Sequence, residues 1–349
     1  MAVQETVLKS RRGARGRWSL ALLILAAVVV FWWVQSRHTS SLIATVSYTP
    51  IAWLTERTIL LADPSKNQVF VYDVVEHKTK PWNVPPSIAS PLSDDGFRGV
   101  SGGSGDTRVA VACAGLSGSA GPSLDLIVFS LNDPTKQARI KGFFGSYEYC
   151  FLLGDGTLLG VSSWRNKLAL FDRNGRILRS RQYQARFGLP SPSILLPVQG
   201  VTRENTLLAF NGAYGAGTLS GVAIPLNLTT PPAPARLSMS DFAKWGMCWP
   251  TVSPDGRRLG WIGQYSPSSL EHSLDNALRR IRIYAPSRRE VIWTTDTAGK
   301  RARLVQIIPG TADSFGWVPG TNRISYIVPH GTRSNSSGPV DIYAVDAGT

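Results

Sequence analysis

"TVSPDGRRLGWIGQ", residues 251–264, reads as a short strand, a tight turn and a second strand. Pro254 presets φ near the turn value, Asp255 can bond its own backbone, and Gly256 can take positive φ at little cost. Beyond the turn, Leu259 and Trp261 alternate with Arg258 and Gly260, the period of a half-buried strand. A single hairpin says little about a fold. Its recurrence would say a great deal.

It does recur. "LLGDGTLLGVSS" (152–163) has the same form, "WVPGTNRISYIV" (317–328) is a third version and "WLTERTILLA" (53–62) a weaker fourth. After a variable loop comes a strand that alternates and ends near an aromatic: "QVFVYDVV", "LDLIVFSL", "KLALFDRN", "RRIRIYAP" and "VDIYAVDA". Tyr72, Phe129, Phe171, Tyr284 and Tyr343 mark this third strand. A polar turn and one more strand follow, as in "HKTKPWNV", "KQARIKGF", "GRILRSRQ" and "RREVIWTT". Strand, turn, strand, loop, strand, turn, strand is one blade of a β-propeller. A further unit fits between Phe171 and Tyr284, with strands at "SILLPV", "TLLAFN", "GVAIPL" and near "PARLSM".

The fold expected is therefore all-β, a six-bladed β-propeller across residues 42–349. Seven blades, or a two-domain sandwich, are the alternatives. The last blade stops after its third strand, "VDIYAVDAGT". A ring closes only if its outer strand comes from elsewhere, and "SLIATVSY" (41–48) is an unassigned β-branched stretch. It is expected to complete that blade and hide the sheet edge.

Composition agrees. Only 17% of the 349 residues are charged while Gly (33) and Pro (23) are plentiful, which suits many short strands and turns rather than long helices. Within the net charge of +14, one cluster is an N-terminal signal. Lys9, Arg11, Arg12, Arg15 and Arg17 precede the uncharged run "WSLALLILAAVVVFWWV" (18–34), and Arg37 follows it. The run lies at the short end of the spanning range and carries Trp at both ends. Residues 1–17 read as a basic cytoplasmic tail and 18–35 as a transmembrane signal anchor. Positive-inside logic then puts the propeller outside the cytoplasm. A cleaved signal peptide is the competing reading, but bulky Val28–Trp33 follow the small Ala26 and Ala27.

With "SPDG" and the "DIY" strand in view, the chain resembles the TolB-type, WD-like bacterial propeller repeats. The close match covers residues 245–295, with weaker echoes elsewhere. Arginine heavily outnumbers lysine, which suits a GC-rich bacterial genome, so the expected location is a bacterial inner membrane facing the periplasm or the cell exterior. The resemblance implies a fold far more than an activity, since such repeats serve partner-binding proteins and peptidases alike. The peptidase pattern, with a hydrolase domain after the propeller, is not the one expected here.

Residues that could carry chemistry are few. "GVSGG" (99–103) has the G-x-S-x-G form, but a turn and a strand follow Ser101 where a nucleophile elbow needs a helix. Cys113, Cys150 and Cys248, an odd count, read as buried small side chains rather than a disulfide framework. His38, His77, His272 and His330 show no metal-ligand spacing. No catalytic set, metal or cofactor is expected. The sequon Asn227-Leu-Thr229 and that at Asn335 matter only where glycosylation occurs.

The function expected is a membrane-anchored scaffold that binds a protein or a cell-envelope ligand, with no nucleic-acid role. Basic clusters at 165–186 and 279–303 suggest an anionic partner. Loops between second and third strands are long in at least four blades: 114–123, 212–221, 263–279 (with a short helix read at 268–280) and 329–338. Turns between first and second strands are tight. The binding face should then carry Tyr214, Tyr265, His272, His330 and Arg333. The alternative is a channel enzyme, a lactonase-like hydrolase or a lyase, for which Glu148 and Asp313 are the acidic candidates.

Overall fold

The computed structural model describes residues 40–93, 97–100, 109–114, 125–163, 165–183, 193–213, 220–238, 250–264, 289–300, 302–309, 311–312, 314–330 and 338–348. After β1 (Ser41–Val46), strands follow in groups of four, each group an antiparallel meander. The first sheet holds β2 (Thr49–Trp53), β3 (Thr58–Asp63), β4 (Gln68–Asp73) and β5 (Lys78–Pro81). The second holds β6 (Phe97–Val100), β7 (Val109–Ala114), β8 (Asp125–Ser130) and β9 (Gln137–Ile140). The third holds β10 (Tyr149–Leu152), β11 (Leu158–Ser162), β12 (Lys167–Phe171) and β13 (Ile177–Gln182). The fourth holds β14 (Ser193–Pro197), β15 (Thr206–Ala213), β16 (Ser220–Pro225) and β17 (Ala233–Ser238). The fifth holds β18 (Thr251–Val252), β19 (Arg258–Gln264), β20 (Arg289–Asp296) and β21 (Arg303–Pro309).

The sixth sheet breaks the rule in an informative way. β22 (Ser314–Trp317), β23 (Arg323–Pro329) and β24 (Val340–Asp346) are its first three strands, and the fourth is β1. β1 runs antiparallel to β24, with Ser41 opposite Ala344 and Val46 opposite Val340. The stretch "SLIATV" is thus the missing outer strand.

Packing between sheets shows the same closure. Separate apolar clusters join the first sheet to the second, the second to the third, and so on to the sixth. A further cluster joins the sixth to the first, where Ala44, Val46 and Ile342 meet Ile59, Leu61 and Tyr72. Four-stranded sheets with two apolar faces, stacked face to face around an axis, make a β-propeller. The short helix α1 (Pro86–Ser93) fills the step from first to second sheet. Its Ile88 and Leu92, one turn apart, are fully buried against Ile127 and Phe129.

The turns explain why this sequence makes these hairpins. In the opening motif Ser253 Oγ donates to Asp255 Oδ1 (2.5 Å) and accepts from Arg258 N–H (2.9 Å), and Gly256 takes φ +70°. The equivalent turn before β11 uses Asp155, whose Oδ1 accepts from Thr157 N–H (2.8 Å), with Gly156 at φ +83°. Turns from third to fourth strand reuse one device. The carboxylates of Asp73, Asp133, Asp172 and Asp296, and the Asn227 amide oxygen, each accept a backbone N–H two residues on.

One strand assignment from the sequence is corrected. The third strand of the fifth sheet is "REVIWTTD" and the fourth is "RLVQIIP", one strand further along than "RRIRIYAP" and "RREVIWTT". "REVIWTTD" buries Val291 and Ile292 and ends in Asp296, the aspartate that starts the turn. Tyr284 and the helix read at 268–280 lie outside the described residues. So do residues 18–35, expected as the membrane anchor. Among the described residues no helix is long and apolar enough to span a membrane.

Two stability outcomes follow. Val46→Pro places a ring in a paired, buried strand, so the melting temperature of the full chain should drop by several degrees, and Ile342→Ala in the same closing cluster should cost about 2–5 kcal/mol in denaturant titrations. Gly256→Ala should destabilise more than Gly320→Ala. Both have φ near +70°, but only at Gly256 would a Cβ run into backbone, at Thr202 and Arg203 of the neighbouring sheet. Equal losses would mean that this inter-sheet contact is not formed.

Candidate functional site

In a propeller every turn from first to second strand, and from third to fourth, lies on one face. Every connection from second to third, and every step to the next sheet, lies on the other. On the first face the turns at 54–57, 153–157, 253–257 and 318–322 are short. On the second, the connections spanning 115–124, 265–288 and 330–339 are long, while those at 64–67 and 163–166 are not, and the loop expected at 212–221 is cut to 214–219 because β15 and β16 extend into it. The elaboration is one-sided, although not in every sheet.

Of the five residues expected on this face, His330 is described. Tyr214, Tyr265, His272 and Arg333 lie outside the described residues, as do Ser101, Cys248 and Asp313. His330 follows the last residue of β23 and stands at the neck of the 330–339 connection. Its N–H donates to Pro339 O (3.0 Å), and its Nε2 lies 2.7 Å from Asp341 Oδ2. The imidazole is 42% exposed, the carboxylate only 16%. The neck is thereby held by one backbone and one side-chain bond.

Asp341 is the hub. Its Oδ1 accepts from Thr45 Oγ1 of β1 (2.6 Å), and its Oδ2 also accepts from Tyr343 OH (3.4 Å). Tyr343 is oriented by stacking on Tyr326, with ring centroids 5.3 Å apart. Burial opposes the Asp341 charge, but the bonds from Thr45 and His330 outweigh it and hold the carboxyl below the usual aspartate value. Burial, and the Asp341 charge beside it, push Tyr343 up.

An acid in this place is a recurring device. Asp125 opens β8 and Glu290 stands second in β20. Asp125 Oδ1 accepts from Gly142 N–H and Glu290 Oε2 from Ala312 N–H, each at 2.7 Å. Each ties down the chain as it leaves the fourth strand for the next sheet. That bond, with Arg139 Nε at 2.6 Å on the other oxygen, holds Asp125 below its ordinary value. In the sixth sheet the Thr45 hydroxyl takes the place of the backbone donor, and His330 is added on the outer side. No sequence reading had drawn Asp341 into the site. The signal available was an acid at the start of three third strands.

Glu148, the candidate for channel chemistry, stands just before β10. Its Oε2 accepts from Ser163 N–H (2.6 Å) and its Oε1 from Ser162 Oγ (3.3 Å), so it secures the end of β11. Among the described residues no group of three or more His, Cys, Asp or Glu could hold a metal. Cys150 is buried in the core between the second and third sheets. His77 donates or accepts at Tyr72 OH (3.0 Å) within a turn on the opposite face.

Part of the basic cluster at 165–186 is structural. Arg179 Nη1 donates to Asn227 O (3.1 Å), and Arg181 Nη1 reaches Leu228 O (2.9 Å) and Thr229 O (2.8 Å) in the fourth sheet. In the fifth sheet, Arg258 donates to Ala347 O (3.3 Å) of the sixth. These arginines stitch neighbouring sheets. Residues 279–288 of the second cluster lie outside the described residues.

No protein-family model matches the chain. No curated protein matches it either. Solved structures do, at low identity. Oligogalacturonate lyase from Vibrio parahaemolyticus is 11% identical with TM-score 0.44, over 84% of this chain and 76% of that one. TolB from Acinetobacter baumannii is 11% identical with TM-score 0.46, over 82% and 63%. The Cps50 (Swd1) β-propeller domain from Myceliophteria thermophila is 11% identical with TM-score 0.37, over 86% and 83%. An enzyme and a binding protein stand side by side in this set, and no activity is drawn from it.

The Asp341 hub has a pH signature. Its carboxyl is depressed in the folded state, so the stability it contributes is complete above the unfolded value of about 4. It is lost as pH falls through the lower folded value. Asp341→Asn should cost about 1–2 kcal/mol at pH 7, and the gap to wild type should narrow as unfolding is followed below about pH 4. A gap that stays constant across that range would show that the charge is not engaged.

Proposed function

We propose that the protein is a propeller of six blades, held at a membrane by residues 18–35 and lying outside the cytoplasm, which binds a protein or an anionic cell-envelope ligand. The observation that carries this reading is the one-sided elaboration. The three longest connections within sheets leave the second strands of the second, fifth and sixth sheets on one face, and connections of eight residues or fewer occupy the other. Long connections on a rigid scaffold are where recognition concentrates. On this face His330 is held by Asp341 and Pro339 at the neck of a long connection, with its ring partly in solvent. Its Nε2 is engaged by Asp341, which leaves the oriented Nδ1 edge of the ring to meet a ligand. Tyr214, Tyr265, His272 and Arg333 belong by sequence to the connections of this face and supply aromatic anchors and a cation.

The reading is tested by crosslinking in native membranes and identifying what co-purifies. Tyr214, Tyr265 and Arg333 are changed together to alanine. In a second variant Lys78, Glu204 and Lys300, exposed on the opposite face, are changed instead. Recovery of the specific partner should fall about tenfold or more in the first variant and stay at wild-type level in the second. Loss confined to the second variant would assign binding to the other face.

A further inference from the structure

Four large apolar side chains are exposed among the described residues: Leu42 (54%), Val75 (62%), Ile177 (51%) and Leu178 (54%). They are far apart in sequence and share one face. Leu42 lies at the start of β1, beside the end of β24. Val75 lies in the turn from β4 to β5, and Ile177 and Leu178 begin β13. All belong to the third-to-fourth-strand turns or to the first residues after them. They therefore lie on the short-turn face, opposite the long connections.

The chain also enters the propeller on this face. Ser41 pairs with Ala344 at the end of β24, and Arg323, the first residue of β23, donates to Ser41 Oγ (2.7 Å). Only residues 35–40 separate Ser41 from the apolar run that ends at Val34. A tether of that length reaches about 25 Å at full extension. The six residues of β1 cover roughly 17 Å to the opposite face. Laying that face on a bilayer would stretch the tether along the outer strand to nearly its limit, whereas the short-turn face is reached with slack.

We infer that the short-turn face rests on the lipid surface. Leu42, Val75, Ile177 and Leu178 enter the headgroup boundary there, and the long connections point away from it. The inference rests on the membrane-anchored reading above. Cations flank the apolar side chains: Lys78 lies three residues after Val75, and Arg176 precedes Ile177, a pairing suited to anionic headgroups. Of the nearest carboxylates, Asp73 and Asp172 are turned into N–H groups of their own turns, and Glu76, beside Val75, is paired with Lys80 (3.7 Å). The arrangement leaves the binding face free for a partner in solution.

The test uses the full chain in vesicles of phosphatidylcholine and phosphatidylglycerol in equal parts, with Cys113 and Cys248 changed to serine. Single cysteines replace Val75 or Ile177 on one face, and Lys66 or Arg165 on the other, and each carries an environment-sensitive fluorophore. Lipids with a nitroxide headgroup should quench the probes at 75 and 177 at least twofold more than those at 66 and 165. An alkaline wash of the same vesicles reports separately on the anchor. If the chain is retained and quenching is equal or reversed, the orientation is wrong and the anchor stands. If the chain is washed off, the anchor fails and the orientation with it.

Discussion

The pairing of β1 with β24 is the contact on which the rest of this structure depends. It joins residues about 300 positions apart, as the bond from Ser41 Oγ to Ala344 O shows (separation 303, 3.2 Å). Closing a loop of that length costs roughly 5 kcal/mol in chain entropy by the logarithmic rule. Against this stand a six-residue strand in register and the side-chain bonds from Thr45 to Asp341 and from Arg323 to Ser41. The burial of Ala44 and Val46 between the sixth and first sheets adds to these. Without β1, the sixth sheet would present β24 as an open edge, and the cluster that joins last sheet to first would lose its central members.

Closure gives the molecule two unlike faces. The aspartate- and asparagine-anchored turns from third to fourth strand fall on one side and the longest connections on the other, because alternate strand ends are forced to opposite sides of the ring; the Asp63 turn is a short one on the second side. Asp341 connects the two levels of organisation. One oxygen secures the closing strand through Thr45, and the other secures His330 at the neck of a long connection. The residue that completes the scaffold thus also fixes a side chain of the proposed binding face.

Much of this was legible in the sequence, for stated physical reasons. "SPDG" announces its turn because Ser253, Asp255 and Gly256 each have one favourable conformation, and they adopt it. "SLIATV" could be placed because an incomplete last blade needs a strand and this stretch was unclaimed. The fourth sheet was located correctly although it carries no turn motif, because its gap was too long for one blade. The fifth sheet misled because "RRIRIYAP" alternates as well as "REVIWTTD" does. "DTAGK" (296–300) repeats the turn chemistry of "DRNGR" (172–176) and would have chosen between them. The role of Arg179 and Arg181 in stitching sheets was not readable, since a cation that binds a neighbour's carbonyls and one that awaits an anion look alike in sequence. The Asp341 hub escaped notice because its partners come from strands at opposite ends of the chain.

The most direct test of the closed ring is native-state amide hydrogen exchange on the full chain, read at β1 and β24 together. Closure predicts that the amides of Ala44–Val46 exchange only with global unfolding, at the same free energy as those of Ile342–Ala344. If β1 exchanged orders of magnitude faster than β24 while the remaining sheets stayed protected, the N-terminal strand would be an appendage and the ring would not depend on it.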